Sequence, residues 1–125
     1  MTAATQHLLL FYYDEQEWAD RSDDERAAIA REYYAVVDEL REQGGYVTGA
    51  PLQPTASATT VRVRDDEPVV TDGPFAETKE QLGGYYLIDV DSLDEALEWA
   101  AKIPTARRGS VEVRPLMQVP TEARA

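Results

Sequence analysis

The seven residues His7–Tyr13, HLLLFYY, are mainly apolar on both of their alternating sets. In an extended chain successive side chains point to opposite faces, so Leu8, Leu10 and Tyr12 share one side and Leu9, Phe11 and Tyr13 the other. A strand that reads this way needs cover on both faces. With 125 residues the chain has the size of one domain. A small two-layer domain has helices for only one face of its sheet. A second copy of the chain is the simplest cover for the other, so a homodimer is expected.

Around that strand the periodicity orders the remaining elements. Ser22–Glu25 reads SDDE, a capping box with Asp23 and Asp24 at the positive end of the helix dipole. Ile29, Tyr33, Val36, Val37 and Leu40 form one apolar stripe of the helix that follows, and Gly44-Gly45 stops it. The stretch YVTGAPLQPTAS reads as irregular, because Pro51 and Pro54 oppose ladder pairing. Ala58–Arg64 alternates, with Val61 and Val63 opposite Arg62 and Arg64, and the turn DDEP leads into Val69–Thr71 as a hairpin. Tyr85–Val90 is a further strand. A second capping box, Ser92–Glu95, opens a helix with Leu93, Ala96, Leu97, Ala100 and Ala101 inward, closed by Pro104. Ser110–Leu116 is the last strand, with Val111 and Val113 inward, and the chain beyond about residue 118 reads as a short frayed tail. The order is β-α-β-β-loop-β-α-β: an α+β fold, a ferredoxin-like split β-α-β with an added hairpin, in a single domain over residues 1–125.

Charge excludes some partners. Twelve basic against 24 acidic residues leave a formal net charge of −12, which repels nucleic acid. No apolar run approaches the ~20 residues of a membrane helix, and the start lacks a signal peptide's basic region. Cysteine is absent and His7 is the single histidine, so thiolate chemistry and two-histidine zinc sites are ruled out. The expectation is a cytoplasmic domain with no metal, no cofactor, no nucleic acid and no membrane contact.

One segment stands apart from the scaffold: DGPFAETKEQLGG, Asp72–Gly84. Asp-Gly-Pro is strong turn chemistry, and a loop of this length in a compact domain is often functional. The run VTDGPFAETKEQLGGYYLIDVDSLDEALEWAAKIP, followed by GSVEVRPL, resembles the DGPF branch of the YCII-related (YciI-like) domain family over about Leu8–Leu116. The resemblance implies a ferredoxin-like α+β fold with dimeric α/β barrel-type association and a cleft near the dimer interface. It also implies regulation, since such domains recur beside or fused to extracytoplasmic-function sigma factors. In another branch a His on the first helix and an Asp near the end of the second form an acid/base pair, and one member is a dehydrochlorinase acting on a chlorinated hydroxyquinol. This chain has Tyr33 and Tyr34 near the first place and AAKI before Pro104 at the second, so that pair is not carried over.

The candidate residues follow. Asp72, Glu77 and Glu80 are the carboxylates that acid/base work would use, and with Lys79 they could equally form a ligand-gripping ionic site or a solvated turn. For Asp72 the structural role, accepting backbone N–H bonds in an Asx-turn or as a cap, is preferred. Tyr12 and Tyr86 are expected at a cleft or dimer contact, where a ring buries while its hydroxyl keeps a partner. Arg62 and Arg64 pair with the acidic turn or contact an anion. His7 reads as structural, Trp18 and Trp99 as packing, and Arg107 and Arg108 as solvated loop residues. Three functions are compatible with this set: a small-molecule-binding dimer with a regulatory role linked to sigma factors, a cofactor-independent lyase or hydrolase acting on a small polar or aromatic compound, and a purely structural homodimer.

Overall fold

The computed structural model describes residues 5–119. The first strand, β1 (Thr5–Tyr13), leads through a short helix α1 (Glu15–Ala19) into the long helix α2 (Asp23–Glu42). Strand β2 (Tyr46–Pro51) and one 3-10 turn (Thr55–Ser57) precede the hairpin β3 (Thr59–Arg64) and β4 (Glu67–Asp72). Then come β5 (Gln81–Val90), α3 (Leu93–Lys102), α4 (Thr105–Arg108) and β6 (Ser110–Pro115). The fold is α+β. Its main sheet has the order β2-β5-β1-β6, every neighbour antiparallel, and β3-β4 forms a separate two-stranded sheet.

The local signals set the helix ends. Ser22 Oγ accepts from the Glu25 N–H at 3.1 Å, and the Glu25 carboxylate accepts from the Ser22 N–H at 3.0 Å. That reciprocal pair satisfies two otherwise unpaired donors. At the other end Gly44 takes φ 73°, and the N–H groups of Gly44 and Gly45 return to the carbonyls of Arg41 and Leu40, a Schellman closure. Asp65 and Asp66, both with positive φ, form the two-residue turn of the β3–β4 hairpin.

Three local expectations need correction. The stretch from Tyr46 to Pro51 is not irregular: it is an edge strand paired to β5, with a register shift between Tyr46 and Thr48. Pro51 is tolerated because it is the last residue of an edge strand, where little ladder is left to break. In α3 the inward residues are Ala96, Trp99 and Ala100, whereas Leu93, Leu97 and Ala101 are exposed. The helix is rotated so that the large indole fills the core, with the Lys102 ammonium 4.4 Å from the centre of its ring. Arg107 and Arg108, expected in a loop, belong to α4.

Both long helices cover one face of the main sheet. Leu9 and Phe11 of β1 and Tyr86, Ile88 and Val90 of β5 pack there against Val36, Val37 and Leu40 of α2 and against Ala96, Trp99 and Ala100 of α3. Leu9, Leu40, Ile88 and Ile103 are completely buried, and truncating such a residue to alanine costs about 2–5 kcal/mol. His7 is buried on the same face, its Nδ1 donating to the Thr5 carbonyl oxygen at 3.1 Å. On the opposite face Leu8, Leu10, Tyr12, Tyr85 and Leu87 stand side by side and only half-buried. Most of the tail expected to fray lies outside the described residues. Among the described residues no helix is long and apolar enough to cross a membrane.

Candidate functional site

The DGPF segment does not gather its charged side chains into a pocket. Asp72 is exposed at the end of β4, cross-strand from Thr59, and its carboxylate accepts no hydrogen bond among the described residues. The backbone makes the turn instead: Gly73, at φ 99°, donates to the Ala58 carbonyl at 2.7 Å, and its own carbonyl accepts from the Thr60 hydroxyl at 2.8 Å. Glycine supplies the left-handed conformation, so the expected Asx-turn or cap at Asp72 is unnecessary. Lys79 is exposed. Glu77 is exposed too, at the rim of a small hollow shared with Thr55, Pro74 and Gln81. Glu80 is half-buried and accepts from the Ser110 hydroxyl at 2.9 Å. Arg62 lies on the hairpin and donates to the Phe75 carbonyl at 3.3 Å.

The uncharged residues of the segment do more. Gln81 Nε2 donates to the Thr78 carbonyl at 2.5 Å, and its Oε1 accepts from the Glu15 N–H at 3.0 Å. Glu15 in turn accepts from the Thr55 N–H at 2.7 Å and from the Thr55 hydroxyl at 2.8 Å. These bonds tie the DGPF loop and the 3-10 turn to the start of α1. On α1 stands Trp18, 6.2 Å from the ring of Tyr13.

Trp18 and Tyr13 form part of the wall of a cavity of about 390 Å³ between α2 and the helix-side face of the sheet. The volume is that of a small-molecule site. Phe11, Tyr33, Tyr46 and Tyr86 contribute further rings. Phe11 meets Tyr86 edge-on at 4.8 Å, and Tyr46 meets Tyr86 the same way at 5.8 Å, so the rings hold one another in place. The floor lacks side chains where a sheet would normally carry them, because Gly49, Gly83 and Gly84 lie there. A Cβ on Gly49 would come within 2.5 Å of the Tyr86 ring and 2.7 Å of the Tyr85 carbonyl oxygen.

The polar groups of the cavity are few. Tyr33 Oη shares a hydrogen bond with Thr105 Oγ1, joining the long helix to α4. Thr105 is buried. Tyr86 Oη donates to the Tyr33 carbonyl at 3.4 Å. Burial pushes the Tyr86 phenol well above the ordinary tyrosine range, with smaller contributions from Tyr33, Tyr46 and Tyr34. Tyr33 and Tyr13 are also raised, mainly by burial; for Tyr33 the bond to Thr105 and the charge of Arg108 oppose that rise. Neutral phenols with raised pKa values hold and orient a ligand well and transfer protons poorly at neutral pH.

Of the residues singled out beforehand, Tyr86 reaches this cavity; Asp72, Glu77, Lys79, Glu80 and Arg62 do not line it. Tyr12 stands on the opposite face of the sheet, where burial and then the Glu112 charge raise its pKa. Tyr46, Gly49, Thr105, Arg41 and Arg108 line the cavity without having been foreseen as a site. The available signal was the spacing of glycines against tyrosines in TGAP and GGYY. Among the described residues no group of three or more His, Cys, Asp or Glu could hold a metal ion.

Comparison with known proteins agrees on kinship. An uncharacterized protein of Rhizobium meliloti (strain 1021) is 46% identical over 112 residues, covering 88% of this chain and 90% of the relative. The model of the YCII-related domain matches residues 5–120, so the match takes in β1, the DGPF loop, the glycine floor and β6 together. The chain belongs to the YCII-related domain family.

Proposed function

We propose that this chain is a homodimeric small-molecule-binding domain of ferredoxin-like arrangement, with its ligand in the aromatic cavity between α2 and the sheet. One observation carries the reading: Gly49 and Gly83 let the Tyr86 and Tyr13 rings lie against the sheet backbone, and those rings wall a cavity of about 390 Å³. Core sheets are normally packed to crystal density, so a void of this size beside a tight core supports a binding role. The strand order β2-β5-β1-β6 supports the ferredoxin-like reading. The half-buried stripe Leu8, Leu10, Tyr12, Tyr85 and Leu87 supports a second copy on the outer face. The hairpin adds Val61, Val63 and Val70, each more than 60% exposed, on a two-stranded ribbon that is marginal alone. A regulatory role beside a sigma factor would use occupancy of the cavity as its input. The lyase or hydrolase reading draws no support from Asp72, Glu77 or Glu80, which do not line the cavity.

Ala30 of α2 faces the cavity, so Ala30→Trp fills it from the helix side. In a thermal-shift screen of small aromatic compounds, hits are expected to raise the melting temperature of the wild type and not of Ala30→Trp. A wild type with no hit, or hits that stabilise both proteins equally, would overturn the proposal.

A further inference from the structure

Six charged side chains line the cavity, three of each sign: Asp14, Glu17 and Asp38 against Arg21, Arg41 and Arg108. In a chain of net charge −12 that local balance is unusual. Three of the six are already engaged or placed. Asp14 caps α1 by accepting from the Gln16 N–H at 2.8 Å. Arg21 lies 3.8 Å from Glu25. Arg41 lies over the Tyr46 ring, 5.0 Å from its centre. Arg108 has no carboxylate within 4 Å among the described residues; its one hydrogen bond, from Nη1 to the Pro104 carbonyl at 3.4 Å, is weak. Its neighbour Arg107 takes the nearby acid, Glu32, at 2.8 Å.

Resting on the cavity as the binding site, we infer that its ligand is an aromatic anion, a small aryl carboxylate in chemical type, with its ring among the tyrosines and its charge at Arg108 beside the Tyr33 and Thr105 hydroxyls. A planar guanidinium with free donors matches a carboxylate in two parallel bonds, and of the Tyr33 and Thr105 hydroxyls paired in the same lining one keeps a proton free to donate. The charges felt at the Tyr33 hydroxyl fit this placement: Arg108 is the larger, and the opposing Glu32 is held by Arg107. Glu17, Asp38 and Arg108 are all exposed, and of the three only Arg108 is among the charges that act on Tyr33. The opposite end of the ligand meets carbon, since most of the lining is aromatic and aliphatic, and an aryl ring can stack there edge-on as Phe11 and Tyr86 do.

The test is calorimetric titration of the full chain at neutral pH with 2-naphthoate, its neutral isostere 2-naphthamide and the cation 2-naphthylmethylammonium. A hydrogen-bonded charge contact predicts that 2-naphthoate binds at least about ten-fold tighter than the amide. In Arg108→Gln that preference falls to near one while the amide binds as in the wild type, which shows the cavity intact. Arg108→Lys keeps part of it. Equal affinity for acid and amide, a preference for the cation, or a preference unchanged in Arg108→Gln overturns the anion inference and leaves the cavity as a binding site. Binding of none of the three overturns both.

Discussion

A Cβ on Gly83 would lie 2.1 Å from Cε1 of Tyr13 and 2.4 Å from Cζ. The Tyr13 ring occupies the volume that any other residue at 83 would need, at the point where the β1–β5 register shifts between Phe11 and Tyr12. Gly83→Ala therefore expels the ring from the cavity wall. Overpacking of this kind costs about 1–3 kcal/mol. Because the clash is with one side chain, Tyr13→Ala in the same chain should recover much of the loss. A double-mutant cycle by urea denaturation should show strong non-additivity, and additive losses would contradict the contact.

The DGPF loop acts through Gln81 and Glu15 rather than through its exposed charges. Asp72→Ala and Glu77→Ala should each change stability by less than about 0.5 kcal/mol, as surface substitutions without partners do. Glu15→Ala leaves two donors of Thr55 without their acceptor, while the Glu15 N–H keeps its bond to Gln81, and should cost about 1–3 kcal/mol. It should also alter the fluorescence of Trp18. Chemical denaturation of the three variants checks the ranking, and a larger loss at Asp72 than at Glu15 would reverse it.

Alkaline stability follows from the buried phenols. The pKa of Tyr86 is raised in the folded protein, whereas in the unfolded chain it ionises near the ordinary value of about 10. Below that value both states are protonated and the group's contribution is fully present. As pH rises past it, the unfolded state loses the proton first and stability falls. Tyr13 and Tyr33 act in the same direction. Denaturation midpoints taken from pH 8 to 11 should decline, and the decline should be shallower in Tyr86→Phe. An identical slope in that variant would remove Tyr86 as a cause.

Leu10 stands in the centre of the outer stripe, cross-strand from Tyr85 on one side and Glu112 on the other. If two sheets meet there, Leu10→Glu places two charges against apolar surface and should convert a dimer to a monomer with unchanged circular dichroism. Sedimentation at micromolar concentration measures both states. A monomeric wild type would end the dimer proposal.

What could be read from the chain was what depends on neighbours in sequence. Ser22 and Glu25 are three residues apart, and their capping box forms as written. The two-sided β1 is visible because alternation is local, and the structure shows one helix-covered and one half-buried face. The cavity depends on contacts across long separations: Tyr33 meets Thr105, and Gly49 lies opposite Tyr86. Gly49 and Gly83 admit the Tyr86 and Tyr13 rings only once strand register is set. Pro51 misled for the same reason: pairing with Gly84 is a property of the assembled sheet. The orientation of α3 with Trp99 inward belongs to its packing in one cluster with Leu9 and Ile103, which no helical period encodes.

Helix α1 buries none of its five residues; polar bonds through Glu15 and Gln81 anchor it. Such an anchor can be traded for water bond by bond, while the carbon-rich interior under α3 stays shut. The stretch of cavity wall that Trp18 supplies is thus held apart from the core, and it can loosen without global unfolding.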